Sequence, residues 1–467
     1  MSAGEVTLRA TLPAVPRAGR ILLSLLSRLR HGRLEFVTPD DNRFVFKGDI
    51  AGQDATLHVH DWSVCADVLK SGDIGFAEAY IASKWETPDL AALLELALQN
   101  RDILEAAIRG KWWGKILHRL RHLMRRNTRS NARRNIHAHY DLGNEFYGTW
   151  LDETMTYSSA FFGTDFDLSL KDAQLAKYRR ILDCLDVQQG DQILEIGCGW
   201  GGFAEVAARE RGARVHGITL SEEQWSFCSR RMCQAGLDRQ VTTEICDYRD
   251  VEGKFDFVVS IEMFEAVGEA FWPSFFTTVR DRLRRGGRAL IQTIVIADAL
   301  FDNYRRSTDF IQQYVFPGGM LPSPSAFAQQ VRRAGLQLGN SHFFGLDYAE
   351  TLARWRESYN AAAASLRKYG FDAPFEHLWN FYLAYCEAGF RAGSINVAQM
   401  ELINAQINLN ADSVPSPCGS GNTSPAGLGH RRNPGSSPSG RGPFALARAA
   451  YIRRCFVDPF RLGQHRN

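Results

Sequence analysis

The sequence lacks the features that would place it among membrane-spanning, secreted or metal-binding proteins. None of its apolar runs approaches the roughly 18 residues that a membrane-spanning helix needs. The short run ILLSLL at residues 21–26 is not followed by the small-residue cleavage site of a signal peptide. The nine cysteines have neither paired nor zinc-like spacing, so neither a disulfide framework nor a metal site is predicted. We therefore expect a cytoplasmic protein that is soluble or peripheral to a membrane.

The sequence also lacks a large net charge, which is only +3, but its positive charge is concentrated. Residues 101–134 contain eleven Lys or Arg against Asp102 and Glu105, interleaved with apolar residues such as Trp112. A basic amphipathic helix of this kind can rest on anionic lipid, and the alternative is a solvated helix face or a linker. We predict a basic amphipathic connector over residues 109–135, with a membrane surface and not nucleic acid as its partner.

The patterning divides the rest of the chain into four segments. Residues 1–30 form a leader without an assignment. Residues 31–108 mix strand patterns such as LEFV and ATLHVH with helical patterns, which predicts a small α+β domain that contacts lipid or, in a homodimer, a second copy of the chain. Residues 136–408 form a large domain. Residues 409–467 are rich in Ser, Pro and Gly, a composition typical of a disordered tail.

The large domain alternates apolar strand patterns with amphipathic helical patterns. This alternation predicts an α/β fold with a doubly wound, mainly parallel and Rossmann-like sheet that is covered by helices on both faces. The five predicted strands are QILEI, ARVHGI, VTTEI, FDFVVSI and ALIQTIVI.

A glycine-rich loop follows the first of these strands, in the sequence QILEIGCGWGGF at residues 192–203. A strand that turns tightly into a helix exposes backbone N–H groups and a positive helix end, and glycines let a ligand approach the backbone. Gly197, Gly199 and Gly202 also satisfy the dinucleotide pattern G-x-G-x-x-G, which is a weak signal by itself. The alternative is a glycine turn without a ligand.

The second strand lacks the acidic residue with which a dehydrogenase holds the ribose hydroxyls. Its tip carries Gly217, Thr219 and Ser221 instead, whereas Glu195 stands two residues before the first glycine. The resulting order E-x-G-x-G is usual in S-adenosylmethionine methyltransferases and favours that cofactor over a nicotinamide.

The other candidate residues lie at the carboxyl ends of the strands, where an open parallel sheet binds its ligand. Glu262 and Glu265 follow the fourth strand and lie at the mouth of the site. Gln292 interrupts the apolar fifth strand, so its amide must either bind a ligand or brace a neighbouring loop.

Several motifs in a fixed order resemble the cyclopropane fatty acid synthases and mycolic acid cyclopropane synthases, a family of class I methyltransferases. The resemblance is strong over residues 135–405 and weaker before them, through HDW at residues 60–62 and GFAEAYIASKWETPDL. The motifs of the strong part are HYDLGNEFYGTWLDETMTYSSAFF, LEIGCGWGGF, GITLSEEQ, SIEMFEAVG, DFIQQYVFPGGMLPS, DYAETLARW and YLAYCEAGFRAG.

The resemblance implies methyl transfer from S-adenosylmethionine to the cis double bond of an acyl chain, commonly in a phospholipid, to give a cyclopropane. Because an alkene is a poor nucleophile, such an enzyme must orient it against the methyl group and exclude water. Aromatic ring faces stabilise the resulting carbocation. The residues that we expect to bind the cofactor are Tyr157, Ser158, Glu195, Gly197, Gly199, Gly201, Thr219, Leu220, Ser221, Gln224, Asp247, Tyr248 and Arg249.

Ring closure needs a base. The resemblance implies that this base is a bound bicarbonate, held by a Glu, a His and a Tyr. Glu265 and Tyr348 match two of these positions, but Gln292 stands in place of the His and cannot titrate. Ser159 replaces a family cysteine. Cys386 matches a cysteine sometimes assigned as catalytic, although its apolar helical surroundings without a His favour a structural role.

Three functions remain open at this point. The first is a peripheral enzyme at the cytoplasmic face of the membrane that forms cyclopropane or methyl-branched acyl chains in phospholipid. The second is a methyltransferase of the same fold for another small molecule, and the third is a noncatalytic lipid-binding relative. Because Glu265 and Tyr348 are retained and the Gln292 amide can still donate to an anion, we expect the cyclopropane ring, with the methyl-branched product as the alternative that the substitution at Gln292 leaves open.

Overall fold

A computed structural model describes residues 15–108 and 142–405 of the chain. The predicted connector at residues 109–135 and the predicted tail at residues 409–467 lie outside the described residues. None of the helices in the described ranges is both long and apolar enough to cross a membrane.

The first described part of the chain forms a four-stranded sheet of order β2-β1-β3-β4. Strands β1 and β3 are parallel, and the other pairs are antiparallel. Residues along β2 (RFVFK) alternate between exposed and buried, so one face of this strand is buried and the other is exposed. The elements are α1 (Arg17–Leu26), β1 (His31–Val37), β2 (Arg43–Lys47), β3 (Ile50–Val59), α2 (Ser63–Ser71), α3 (Asp73–Ile81), β4 (Trp85–Glu86), α4 (Leu90–Gln99) and α5 (Arg101–Ile108).

The second described part contains a seven-stranded sheet of order β10-β11-β9-β8-β5-β6-β7. Its strands are parallel except for β11, which is antiparallel to both neighbours. This sheet confirms the predicted mainly parallel α/β fold. Its strands are β5 (Gln192–Ile196), β6 (Arg214–Thr219), β7 (Val241–Ile245), β8 (Phe255–Ile261), β9 (Leu283–Ile296), β10 (Gln337–Phe343) and β11 (Ile395–Ile403).

Helices cover both faces of the large sheet, as the alternation predicts. One apolar cluster includes Phe276 and Phe327, and the other, on the opposite face, includes Ile181 and Phe203. The helices are α6 (Asn144–Gly148), α7 (Leu170–Leu185), α8 (Gly202–Arg211), α9 (Glu222–Gln234), α10 (Trp272–Arg282), α11 (Asp298–Tyr304), α12 (Pro324–Arg333), α13 (Gly345–Leu366) and α14 (Ala373–Arg391).

Helix α14 joins the two sheets into one compact unit. It packs against α3 and α4 of the first part. Asn380 Nδ2 donates to the hydroxyl of Tyr80 at 3.0 Å, and Phe381 contacts the ring of Phe76. The small sheet therefore lies directly against the large domain.

Candidate active site

The glycine loop between β5 and α8 is shaped by left-handed backbone. Gly197 and Gly201 have φ of +85° and +84°, and a Cβ at either position would clash with Met263 or Cys228. Gly199 is also left-handed, but its Cβ would meet no atom within 4 Å. The loop is thus held on one side and open on the other, which fits a ligand that approaches the backbone of Gly199.

The tip of β6 forms a closed polar network. Thr219 Oγ1 donates to Gln224 Oε1 at 3.0 Å and accepts from Ser221 N at 3.2 Å. The Ser221 hydroxyl caps α9 by accepting from Gln224 N. Leu220 lies between them and is half-buried. The structure therefore brings together the four residues that the sequence assigns to the cofactor at this strand.

The tip of β7 carries an ion pair beside aromatic rings. Arg249 binds both carboxylate oxygens of Asp247, at 2.7 Å and 2.6 Å. Its guanidinium also lies over the rings of Tyr248 and Phe271, at 5.4 Å and 5.5 Å from their centroids. The pair fixes the loop after β7, where the two rings pack against the guanidinium.

Glu195 lies on β5, which is flanked by β6 and β8 in the large sheet. Its side chain is 3% exposed, and one carboxylate oxygen has no hydrogen-bond partner among the described residues. Burial raises the pKa of Glu195 well above its ordinary value, against the opposing charges of Lys177 and Arg231. It is a buried acid close to the glycine loop.

The loop that contains Tyr157 and Ser158 is held by buried polar residues of α7. Lys177 Nζ donates to Ser158 Oγ at 2.6 Å and to Gln174 Oε1 at 2.7 Å, and Gln174 Nε2 donates to Ser158 O at 2.9 Å. Both residues of α7 are fully buried, and burial lowers the pKa of Lys177 to about 7. Sequence reasoning missed them, because their helix looks like an ordinary surface helix.

Glu262 occupies the centre of the site, although the sequence places it only at the mouth. Its Oε1 accepts from Ser159 N at 2.9 Å and from Gln292 Nε2 at 2.8 Å. Its Oε2 accepts from the Tyr348 hydroxyl at 2.5 Å. Burial raises the pKa of Glu262, although the Tyr348 hydrogen bond and the Lys177 charge oppose that shift.

A chain of amides fixes the orientation of Gln292. Gln399 Nε2 donates to Gln292 Oε1 at 3.0 Å, and Arg180 Nη1 donates to Gln399 Oε1 at 3.1 Å. Because its oxygen already accepts from β11, the nitrogen of Gln292 faces Glu262. In this orientation Gln292 braces the side chain of Glu262.

Glu265 is bonded to β9 and, in the interactions described, not to Ser159, Gln292 or Tyr348. Its Oε1 accepts from Ile294 N and from Thr293 Oγ1, and its Oε2 is buried without a partner among the described residues. Burial and the nearby charge of Glu262 raise the pKa of Glu265 to about 8. A carboxyl group in this environment is favoured in its neutral form at pH 7.

The residues present do not fit the expected bicarbonate. Gln292 and Tyr348 converge, and both donate to Glu262, a carboxylate of the chain itself. Glu265, the third expected ligand, is bonded to β9 instead. The side chain of Glu262 fills the position at which these donors would hold a small anion.

A cavity of about 990 Å³ runs from Glu262 to the small sheet. Near Glu262 it is lined by aromatic residues including Tyr157 and Tyr348, and by Cys386. Burial raises the pKa of the Cys386 thiol, which disfavours a nucleophilic thiolate. In the first described part of the chain, the apolar wall of the cavity includes Leu22, Leu26, Leu34, Phe36, Leu57, Val59, Leu69, Leu93 and Leu94.

Comparison with known proteins agrees with this geometry. The family model described as mycolic acid cyclopropane synthetase matches residues 127–400. Tuberculostearic acid methyltransferase of Mycobacterium tuberculosis is 40% identical over 342 residues, which are 72% of this chain and 79% of that protein. Cyclopropane-fatty-acyl-phospholipid synthase of Escherichia coli is 32% identical over 392 residues, 78% of this chain and 94% of that protein.

A solved structure shows the same similarity in three dimensions. The crystal structure of a mycolic acid cyclopropane synthase complexed with SAH and CTAB has a TM-score of 0.55 and 29% sequence identity. The matched region covers 58% of the present chain and 98% of the chain of that synthase.

Proposed function

We propose that this chain, which belongs to the mycolic acid cyclopropane synthetase family of S-adenosylmethionine-dependent methyltransferases, methylates the cis double bond of an unsaturated acyl chain in a phospholipid. The product that we propose is an open, methyl-branched chain and not a cyclopropane ring. The observation that carries this proposal is the Glu262 carboxylate, which is held by Ser159, Gln292 and Tyr348.

The cavity supports an acyl chain as the acceptor. Its volume of about 990 Å³ lies at the upper end of the roughly 300 to 1,000 Å³ found for ligand pockets. The lining is largely apolar, with Leu as its commonest residue, and such a surface excludes water from the reacting carbons. A small polar acceptor would leave most of this apolar surface unfilled.

The residues around the cofactor site supply orientation. The loop at residues 197–201, the β6 network and the ring of Tyr248 are the groups that would hold the cofactor. When bound, S-adenosylmethionine supplies a sulfonium methyl group, which the π electrons of the double bond take up as the C–S bond breaks, leaving a carbocation on the acyl chain. Holding the two reactants in line provides most of the rate gain.

The site then stabilises the cation and removes a proton. The rings of Tyr157, Tyr348 and Phe390 line the cavity beside Glu262 and can stabilise positive charge. Burial raises the pKa of Glu262, so that its carboxylate is a competent proton acceptor in a dry site. Glu265 is favoured as the neutral acid and does not compete for the proton.

The fixed position of this base favours the branched product. Glu262 is held at three points and cannot follow the newly added methyl group as a free anion could. The cation therefore persists long enough for a hydride to move from the methylated carbon to its neighbour. Loss of a proton to Glu262 then leaves a methyl-branched or methylene-bearing alkene. The relative that is 40% identical is named a tuberculostearic acid methyltransferase, which agrees with methyl transfer to a fatty acyl chain.

The product can be identified with a labelled cofactor. The protein is incubated with phospholipid containing cis-unsaturated chains and with S-adenosylmethionine whose methyl group carries ¹³C, and the lipid is examined by NMR and mass spectrometry. We expect the label in an alkene-bearing branched chain that takes up two hydrogens on catalytic hydrogenation. Label in a high-field cyclopropane CH₂ that resists mild hydrogenation would refute the branched product. Absence of any acyl chain with an added carbon would refute the function.

A further inference from the structure

Helix α1 (Arg17–Leu26) has two chemically different faces. Leu22, Leu23 and Leu26 are buried, whereas Arg17 and Arg20 are exposed. The helix therefore packs firmly against the rest of the unit, where it contacts α2 and α5. The basic face that it leaves outside plays no part in the chemistry proposed above.

The exposed side of this helix and of the turn after it carries only positive charge. Arg28 and Arg30 extend the exposed row, and no acidic residue occurs between residues 15 and 34. Within the part of the chain that the structure describes, none of the guanidinium groups of Arg17, Arg20, Arg28 and Arg30 forms an ion pair. We call Arg17, Arg20, Ile21, Arg28 and Arg30 the α1 surface.

An apolar side chain stands among these arginines. Ile21 is 42% exposed. A row of unpaired arginines around an exposed aliphatic residue is the pattern of a helix that lies in the headgroup region of an anionic bilayer, with the arginines on phosphate and the aliphatic group in the acyl boundary. Charge complementarity thus indicates lipid.

The inner side of the same helix lines the cavity that leads to Glu262. Leu22, Leu25 and Leu26 of α1 contribute to its wall, and Leu29 of the following turn continues it. One layer of helix therefore separates the α1 surface from the apolar cavity. The leucines of α1 therefore supply an apolar wall of the cavity directly beneath the exposed arginines.

We propose that the α1 surface docks on an anionic lipid bilayer and that the acyl chain enters the cavity beside α1. The docking step stands independently, whereas the entry step rests on the proposed function. All residues of the α1 surface lie in the described part of the chain. The basic connector predicted at residues 109–135 is a second candidate for lipid binding, and the experiment distinguishes it from the α1 surface.

Vesicle binding of the full chain tests the docking step. The variant Arg17→Glu/Arg20→Glu/Arg28→Glu is compared with Arg230→Glu/Arg239→Glu/Arg333→Glu, which has the same charge change at three exposed positions of the large domain. Flotation with vesicles containing phosphatidylglycerol should show binding at least about tenfold weaker for the first variant at low salt. The control should bind like the unchanged protein, and neutral phosphatidylcholine vesicles should bind all three weakly.

The contribution of Ile21 is separated from charge at high salt. Ile21→Ser should weaken the residual binding there, while Val45→Ser, which removes an exposed aliphatic side chain from β2, should not. Equal binding of the α1 charge-reversal variant and its control, with both folded by circular dichroism, would overturn the proposal. It would also be overturned if only Arg125→Glu/Arg126→Glu/Arg133→Glu/Arg134→Glu, in the connector, lost binding.

Activity on two forms of substrate distinguishes docking from chemistry. The α1 charge-reversal variant should lose turnover on vesicles and retain it on lipid dispersed in detergent. Loss on both, with an intact fold, would place α1 in the chemical step and overturn its docking role. If neither the unchanged protein nor any variant methylates either form of the lipid, the proposed function fails. The vesicle-binding result still decides the docking proposal.

Discussion

At the scale of single residues, the backbone of Glu262 is the most unusual feature of the site. Its φ of +51° is in the left-handed region, which costs a residue with a Cβ roughly 1 kcal/mol or more. Three hydrogen bonds to the carboxylate hold the side chain in spite of that strain. A carboxylate at this position is therefore maintained against a backbone preference for glycine.

This conformation allows a chemical-rescue experiment. Glu262→Gly relieves the strain and leaves Ser159 N–H, Gln292 and Tyr348 without their acceptor, so turnover should fall by about 100-fold or more. Added bicarbonate or formate should restore part of the activity, because either anion can occupy the vacated position. Glu262→Gln serves as the control, since its amide still fills that position and should prevent rescue. Full activity of Glu262→Gln would remove Glu262 from the mechanism.

Glu265 should make the stability of the fold depend on pH. Its folded-state pKa is raised to about 8, so between about pH 4.5 and 8 the folded protein binds a proton that the unfolded chain has lost. The contribution of Glu265 to the free energy of unfolding is therefore fully present below pH 4.5 and is lost as the pH rises towards 8.

Thermal denaturation of Glu265→Gln tests this decrease of stability with pH. Relative to the unchanged protein, the variant should gain stability between pH 5 and pH 9, by no more than about 1.4 kcal/mol per pH unit. Glu357→Gln, at an exposed position of α13, should show no such trend. A constant difference between Glu265→Gln and the unchanged protein would show that Glu265 is charged in the fold.

At the scale of elements, α7 determines where the loop before it can lie. Lys177 and Gln174 bind Ser158, and the next residue, Ser159, presents its N–H to Glu262. Lys177 touches neither the cavity wall nor the glycine loop in the interactions described, so we assign it as a positioning residue that acts through the loop at residues 157–159.

Lys177→Met should misplace that loop while keeping the bulk of the side chain. We expect turnover to fall about tenfold, because small displacements of an orienting group reduce the rate strongly. The pH profile provides a readout that a purely structural role would not change: a rate step near pH 7 in the unchanged protein should disappear in the variant. Lys171→Met, on the exposed side of the same helix, is the control. An unaltered pH profile in Lys177→Met would contradict this role.

Much of this architecture follows from local sequence, and the exceptions have physical causes. The strand QILEI and its glycine loop are predictable, because apolar runs and left-handed glycines are local signals. The choice between Glu262 and Glu265 is not, since a 3₁₀ turn after β8 directs the two carboxylates differently. Lys177 is missed because a buried lysine is recognised only by partners that are distant in sequence.

At the scale of the whole molecule, the cavity joins the two sheets. The small sheet and its helices supply much of the apolar wall, whereas Glu262 and Tyr348 come from the large domain. The contacts of α14 with α3 and α4 hold these parts together. The accepted acyl chain should therefore be limited by residues that lie outside the methyltransferase sheet.

Ala97 of α4 offers a direct test of that limit. It lines the cavity and is half-buried, so Ala97→Phe places a ring in the space for the acyl chain with little change to the core. Turnover of the longest chains should fall about tenfold relative to shorter ones, since overpacking costs roughly 1 to 3 kcal/mol. Ala92→Phe is the matched control, because Ala92 lies on the same helix, is also half-buried and is not part of the cavity lining. Competition between phospholipids of different chain length, analysed by mass spectrometry, measures the ratio. An unchanged ratio in Ala97→Phe, in a folded protein, would show that the acyl chain does not occupy the small-sheet end of the cavity.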